Sequence, residues 1–217
     1  MTTGRNADDV RQSWRVTDEE PDWLYDDDIP DDGKDWRRPR GVFIIAPIEG
    51  EVGDWIADIQ RRFDPKLAAL GKPHISLIGS SGAGPIAPGT NEEMLRSKLE
   101  PIAATTAPLS IALGSPHRFM QTTIVSLPTS PHGPLRELHE RIKRSGLDFG
   151  SVRFAFSPHA TLSYFPTLSR DAERELLSLR APGPITIDRI ELSLTNDPQP
   201  PTILFGLPLT LAAPSAR

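Results

Sequence analysis

Lys72-Pro73-His74-Ile75-Ser76-Leu77 and, 85 residues on, Ser157-Pro158-His159-Ala160-Thr161-Leu162 decide how this chain is read. Each contains Pro-His-x-(Ser/Thr)-Leu. On a strand, successive side chains alternate between faces. His74 and Ser76 therefore share one face, as do His159 and Thr161, while Ile75, Leu77, Ala160 and Leu162 turn to a core. The result is two like cassettes, each an imidazole beside a hydroxyl on an apolar backing. Two titratable groups facing one cleft suit acid–base chemistry at phosphorus.

A single His-x-Ser/Thr in a strand is ordinarily a satisfied surface pair. The surroundings of these two repeat as well. Val42–Ala46 reads as a strand followed by Pro47, a helix and then His74. Thr123–Leu127 reads as a strand followed by Pro128, a helix and then His159. Each strand-to-histidine interval is roughly 30 to 35 residues, the size of one strand–helix–strand unit. An internal duplication of this kind predicts two lobes around a pseudo-symmetric cleft.

Around the cassettes, Glu51 to about Leu70 has helical spacing through Val52, Trp55, Ile56, Ile59 and Phe63, broken or restarted at Pro65. His74 to Gly79 is the first cassette strand, and Ser80 to Gly89 a Gly/Pro loop, either a lid or a connection. A helix begins after Asn91, a good N-cap, and Pro101 is expected to end it. Leu109–Leu113 and Gln121–Leu127 read as strands. The clearest helix carries Leu135, Leu138, Ile142 and Leu147 inward. Arg170–Leu179 is an amphipathic helix, and Ile185–Leu194 and Thr202–Leu211 are β-rich. His117, His132 and His139 read as surface residues.

The 217 residues include 23 prolines and no cysteine, which removes disulfides, thiolate nucleophiles and Cys-ligated metals. Neither cassette supplies an adjacent carboxylate or third histidine, so no metal and no cofactor are expected. The polar Met1–Val10 stretch lacks a secretory signal, and no run is long enough to span a bilayer. These features fit a cytoplasmic protein without membrane attachment. Residues 1–38 carry 12 acidic and 6 basic residues, and residues 39–217 carry 17 and 18. The near-neutral body argues against duplex DNA binding. The acidic arm bears Trp14, Trp23, Tyr25 and Trp36. It reads either as disordered or as docked on the body, and it is a candidate surface for a protein partner. The division expected is an arm at 1–38, a two-lobed domain at 39–211 and a tail at 212–217.

The paired cassettes, each after a strand and a helix, resemble the two-histidine (2H) phosphoesterase superfamily. In layout the chain is most similar to the 2′-5′ RNA ligase / RNA 2′,3′-cyclic phosphodiesterase branch, over roughly residues 40–211. Phe156-Ser157-Pro158-His159-Ala160-Thr161-Leu162 is the most family-like run. The resemblance implies an α+β fold: bilobal, duplicated strand–helix–strand units with antiparallel sheets flanking a central cleft. It implies that His74 and His159 are the catalytic pair and that Ser76 and Thr161 hold the substrate phosphate.

Histidine titrates near neutrality, so one copy can act as base and the other as acid. The two roles are not assigned by sequence. Lys72, on the parity of His74, and Arg153, on that of His159, are candidate phosphate contacts, with a solvated cation as the simpler reading. Phe119, Tyr164 and Phe165 are candidate contacts to a base, with core packing the equal alternative. The expected substrate is an RNA terminus or a small phosphorylated nucleotide. Two other readings stand beside this one: a non-catalytic nucleotide- or RNA-binding module with a docking arm, and a 2H enzyme degrading a cyclic (oligo)nucleotide signal.

Overall fold

A computed structural model describes residues 41–119, 122–152, 154–165, 168–196 and 199–211. The acidic arm, its tryptophans, Arg153 and the tail at 212–217 lie outside the described residues.

Nine strands and five helices follow in the order β1 (Gly41–Pro47), α1 (Gly50–Phe63), α2 (Pro65–Leu70), β2 (His74–Ile78), α3 (Glu92–Ala104), β3 (Leu109–Ile111), β4 (His117–Arg118), β5 (Val125–Pro128), α4 (Pro134–Lys143), β6 (His159–Ser163), α5 (Arg170–Ser178), β7 (Ile185–Ile187), β8 (Arg189–Asn196) and β9 (Gln199–Pro208) among the described residues. Seven strands form one sheet in the order β4-β5-β6-β2-β1-β8-β9, and β3 pairs with β7. All the pairings are antiparallel.

The duplication is visible in the register. Pro47, Ala46 and Ile45 lie opposite His74, Ile75 and Ser76. Pro128, Leu127 and Ser126 lie opposite His159, Ala160 and Thr161. One step further, both pairs shift: Ile44 meets Ile78, and Val125 meets Ser163. The extra residues, Leu77 and Leu162, form a bulge at the same point of each half. The bulge reverses parity, so Ile78 and Ser163 face the core although Ser76 and Thr161 do not. The halves join where β2 meets β6, at Ile75 opposite Ala160.

Hydrophobic residues at period two build the core face: Val42, Ile44, Ala46, Ile75, Leu77, Val125, Leu127, Ala160 and Leu162 are all buried. Helices α1 and α4 cover them through Val52, Ile56, Ile59, Leu135, Leu138 and Ile142. The opposite face carries the cassettes.

Several expected boundaries move. Pro101 does not end its helix, because α3 runs to Ala104. The proline is exposed and three residues from the helix end, so the carbonyl it leaves unpaired can reach water. Continuing the helix buries Ala103, and Arg141 of α4 donates to the Ile102 carbonyl at 3.2 Å, satisfying the new end. The strand expected over Gln121–Leu127 is shorter and begins at Val125. Leu147 packs into the core beyond α4. The Ser80–Gly89 loop is tied down: Val42 exchanges two hydrogen bonds with Ile86, Gly82 N–H donates to the Phe154 carbonyl, and Gly84 N–H to that of Gly150. No described helix is long and apolar enough to cross a membrane.

Candidate active site

Adjacent strands β2 and β6 bring the two histidines onto one face at the centre of the sheet. Each is held alike. His74 Nδ1 lies 2.9 Å from the Lys72 carbonyl, and His159 Nδ1 lies 2.8 Å from the Ser157 carbonyl. A carbonyl only accepts, so in both rings Nδ1 carries hydrogen and donates. Nε2 is left as the nitrogen able to exchange a proton. The intervening Pro73 and Pro158 restrict the backbone that presents those carbonyls. Lys72 therefore contributes through its main chain, while its exposed ammonium pairs with Glu49 at 3.5 Å.

Both pKa values are pushed below the usual histidine value of 6.5. Burial among protein atoms is the largest cause in each. Their neighbours then differ. The Glu191 carboxylate favours the charged form of His74, whereas His117 and His74 disfavour that of His159. His74 nevertheless remains exposed to solvent, so a ligand can reach it, and Ser76 and Thr161 are half-buried beside the pair.

Phe119 lies beside the candidate pair: its ring is 4.4 Å from that of His159, tilted by 34°. It covers one side of the imidazole. Tyr164 and Phe165 sit past the β6 bulge. Their backbone N–H groups donate to Asp64 Oδ2 at 2.7 and 2.9 Å, and the Lys66 ammonium lies 4.0 Å from the Phe165 ring centre. The Tyr164 ring meets that of Phe165 edge-on, with centres 5.1 Å apart.

His139 is a correction. It is 1% exposed, not on the surface. Its Nδ1 is 2.7 Å from the Leu77 carbonyl, and its ring stacks on Phe156 at 4.0 Å. It joins the strand of the first cassette to the segment leading into the second. The sequence places His139 one residue from Leu138 on a helix, so a wide apolar stripe includes it. His117 is exposed as expected, yet β4 sets it opposite Ser126 and on the face of the two cassette histidines. A two-residue strand is too short for periodicity to reveal. A cavity lined by Glu49, Val52, Pro184 and Ile185 lies at the start of α1.

The fold has counterparts. Residues 48–198 match the family described as the 2′-5′ RNA ligase superfamily. Proteins of Geobacillus kaustophilus and Geobacillus thermodenitrificans, both named "Putative phosphoesterase", are 31% and 33% identical over 126 and 112 residues. Those alignments cover 56% and 51% of this chain, and 66% and 61% of the relatives' own lengths. Among solved structures, E. coli LigT in apo form superposes with a TM-score of 0.53 at 17% identity, over 80% of this chain and 99% of that one. Its complex with 3′-AMP gives 0.51 at 15% identity, over the same shares. At such identities the structural likeness speaks for the fold alone. The family match spans most of the chain and contains both cassettes, and the chain belongs to the 2′-5′ RNA ligase superfamily of two-histidine phosphoesterases.

Proposed function

We propose that the protein is a metal-independent phosphodiesterase acting on a cyclic or 2′-5′ phosphodiester of RNA or a nucleotide. The observation that carries this is the matched Nδ1–carbonyl bond in both halves, which leaves two Nε2 atoms for proton exchange on one face. LigT has been crystallised with 3′-AMP and with phosphate, which supports a nucleotide phosphate as the ligand class.

With a cyclic phosphodiester over β2 and β6, His159 Nε2 takes a proton from water. The water oxygen bonds to phosphorus as the bond from phosphorus to ribose oxygen breaks. His74 Nε2–H gives its proton to that departing oxygen. Glu191 favours protonated His74, and His117 opposes protonated His159, which motivates this division of roles. Ser76 and Thr161 donate to the non-bridging oxygens, where negative charge grows in the transition state. Ser76→Ala and Thr161→Ala are each expected to lower kcat by about 10²–10³-fold, the scale of one lost donor. Loss in KM alone, with kcat kept, would contradict that role.

Among the described residues, no group of three or more His, Asp or Glu side chains is placed to hold a metal ion. Turnover of 2′,3′-cyclic nucleotides, 2′-5′ oligonucleotides and cyclic dinucleotides, with and without EDTA, tests the reading. Activity unaffected by EDTA on the first or second class is expected. Activity restored only by a divalent ion would defeat the mechanism, and turnover confined to cyclic dinucleotides would favour a signal-degrading enzyme.

The pH profile gives a separate check. The base must be neutral, and its pKa is lowered, so activity should persist below pH 6.5 and fall as pH drops through the lowered value. The acid must be protonated, so activity is lost as pH rises through the pKa of His74. Because that value is also lowered, the maximum of kcat/KM is expected on the acid side of neutrality. A maximum above pH 8 would contradict it.

A further inference from the structure

Following each cassette outward along the sheet gives two corresponding rows. In one half Ser76 lies opposite Ile45, and Ile45 opposite Glu191. In the other Thr161 lies opposite Ser126, and Ser126 opposite His117. Glu191 and His117 thus occupy matching positions, each two strands, or roughly 10 Å, from its hydroxyl.

Their chemistry differs. Glu191 is a carboxylate paired with Arg189 at 2.9 Å, and Arg189 also pairs with Glu49 at 2.7 Å. The cation on that side is already neutralised, and the residue between, Ile45, is apolar. On the other side His117 is exposed, and its ring has no hydrogen bond to a described residue. Ser126 beneath it is fully buried, with its hydroxyl unpartnered among the described residues. Phe119, two residues on, lies against His159 and walls the row. The charge of His117 is felt at His159, so the two rings lie within electrostatic reach of one ligand.

We propose that His117 holds a second phosphate, the neighbour of the scissile one, so that an oligonucleotide end lies across β6, β5 and β4. This rests on the phosphodiesterase reading, which puts the scissile phosphate at the cassettes. An imidazole donates through N–H and, when protonated, adds a charge-assisted bond to a phosphate oxygen. On the β8 side Arg189 is held by Glu191 and Glu49 and offers that group no free donor. The half with a free donor and the half with a self-neutralised cluster give a nearly symmetric sheet one direction for its ligand.

The test is equilibrium binding, so that it does not depend on turnover. The probes are a 3′-phosphorylated dinucleotide, with two phosphates, and the corresponding 3′-phosphorylated mononucleotide, with one. Wild type is expected to bind the dinucleotide about tenfold more tightly, the scale of one hydrogen bond to a charged group. His117→Ala should remove most of that ratio, and His117→Lys should restore it. Equal affinity of wild type for the two probes, or an unchanged ratio in His117→Ala, overturns the proposal. Loss of the ratio without rescue by lysine does so as well. Hydrolysis is measured separately on a cyclic phosphodiester. Binding through His117 with no hydrolysis would overturn the phosphodiesterase reading and leave the subsite standing.

Discussion

His74→Ala and His159→Ala are each expected to lower kcat/KM on the true substrate by about 10²–10⁴-fold, the contribution of one positioned acid or base. Neither should unfold the protein. His74 is exposed and His159 half-buried, and each ring spends its one described hydrogen bond on a carbonyl two residues away. The double variant should fall less than the product of the two single effects, because acid and base serve one step. The variants also separate the roles. With a leaving group that needs no protonation, such as a nitrophenolate ester, loss of the acid His74 should matter much less, while loss of the base His159 should still cost its full factor. Circular dichroism and a thermal melt check the fold in parallel. A histidine variant that turns over at near the wild-type rate would end the two-histidine mechanism.

Asp64→Ala is expected to destabilise the fold by about 3 kcal/mol, because it leaves buried donors without an acceptor. Asp64 is 1% exposed. Its Oδ1 accepts from Leu67 N–H at 3.0 Å and caps α2. Its Oδ2 accepts from Tyr164 N–H at 2.7 Å, Phe165 N–H at 2.9 Å and the Ser163 hydroxyl at 3.3 Å. One carboxylate thus ties the α1–α2 junction to the chain leaving the second cassette. The Leu67 end is only half-buried and open to water, whereas Oδ2 gathers three donors at once. Asp64→Asn should cost less, since its amide oxygen can still accept on one side. Urea unfolding at unchanged m-value measures both. A loss below about 1 kcal/mol for Asp64→Ala would show that water or a shifted backbone replaces the carboxylate.

By itself, the sequence determined the two cassettes, their duplication and the helices that precede them. These are local or repeated signals: a period of two sets which side chains share a face, and a Pro-His-x-(Ser/Thr)-Leu run recurs with its preceding strand. The paired histidines could therefore be read without coordinates. The tertiary structure decided what depends on pairing between distant segments. Registry across β4, β5 and β6 carries His117 to the histidine face, although a two-residue strand has no periodicity of its own. Asp64 looks like an ordinary N-cap until β6 supplies its second set of donors, about 100 residues away. His139 is buried because Leu77 and Phe156 close over it. Pro101 stays within a helix because Arg141, from another helix, answers the carbonyls at its end. Propensity and periodicity act over a few neighbouring residues, whereas burial, partner choice and local charge are set by whatever chain the fold brings alongside.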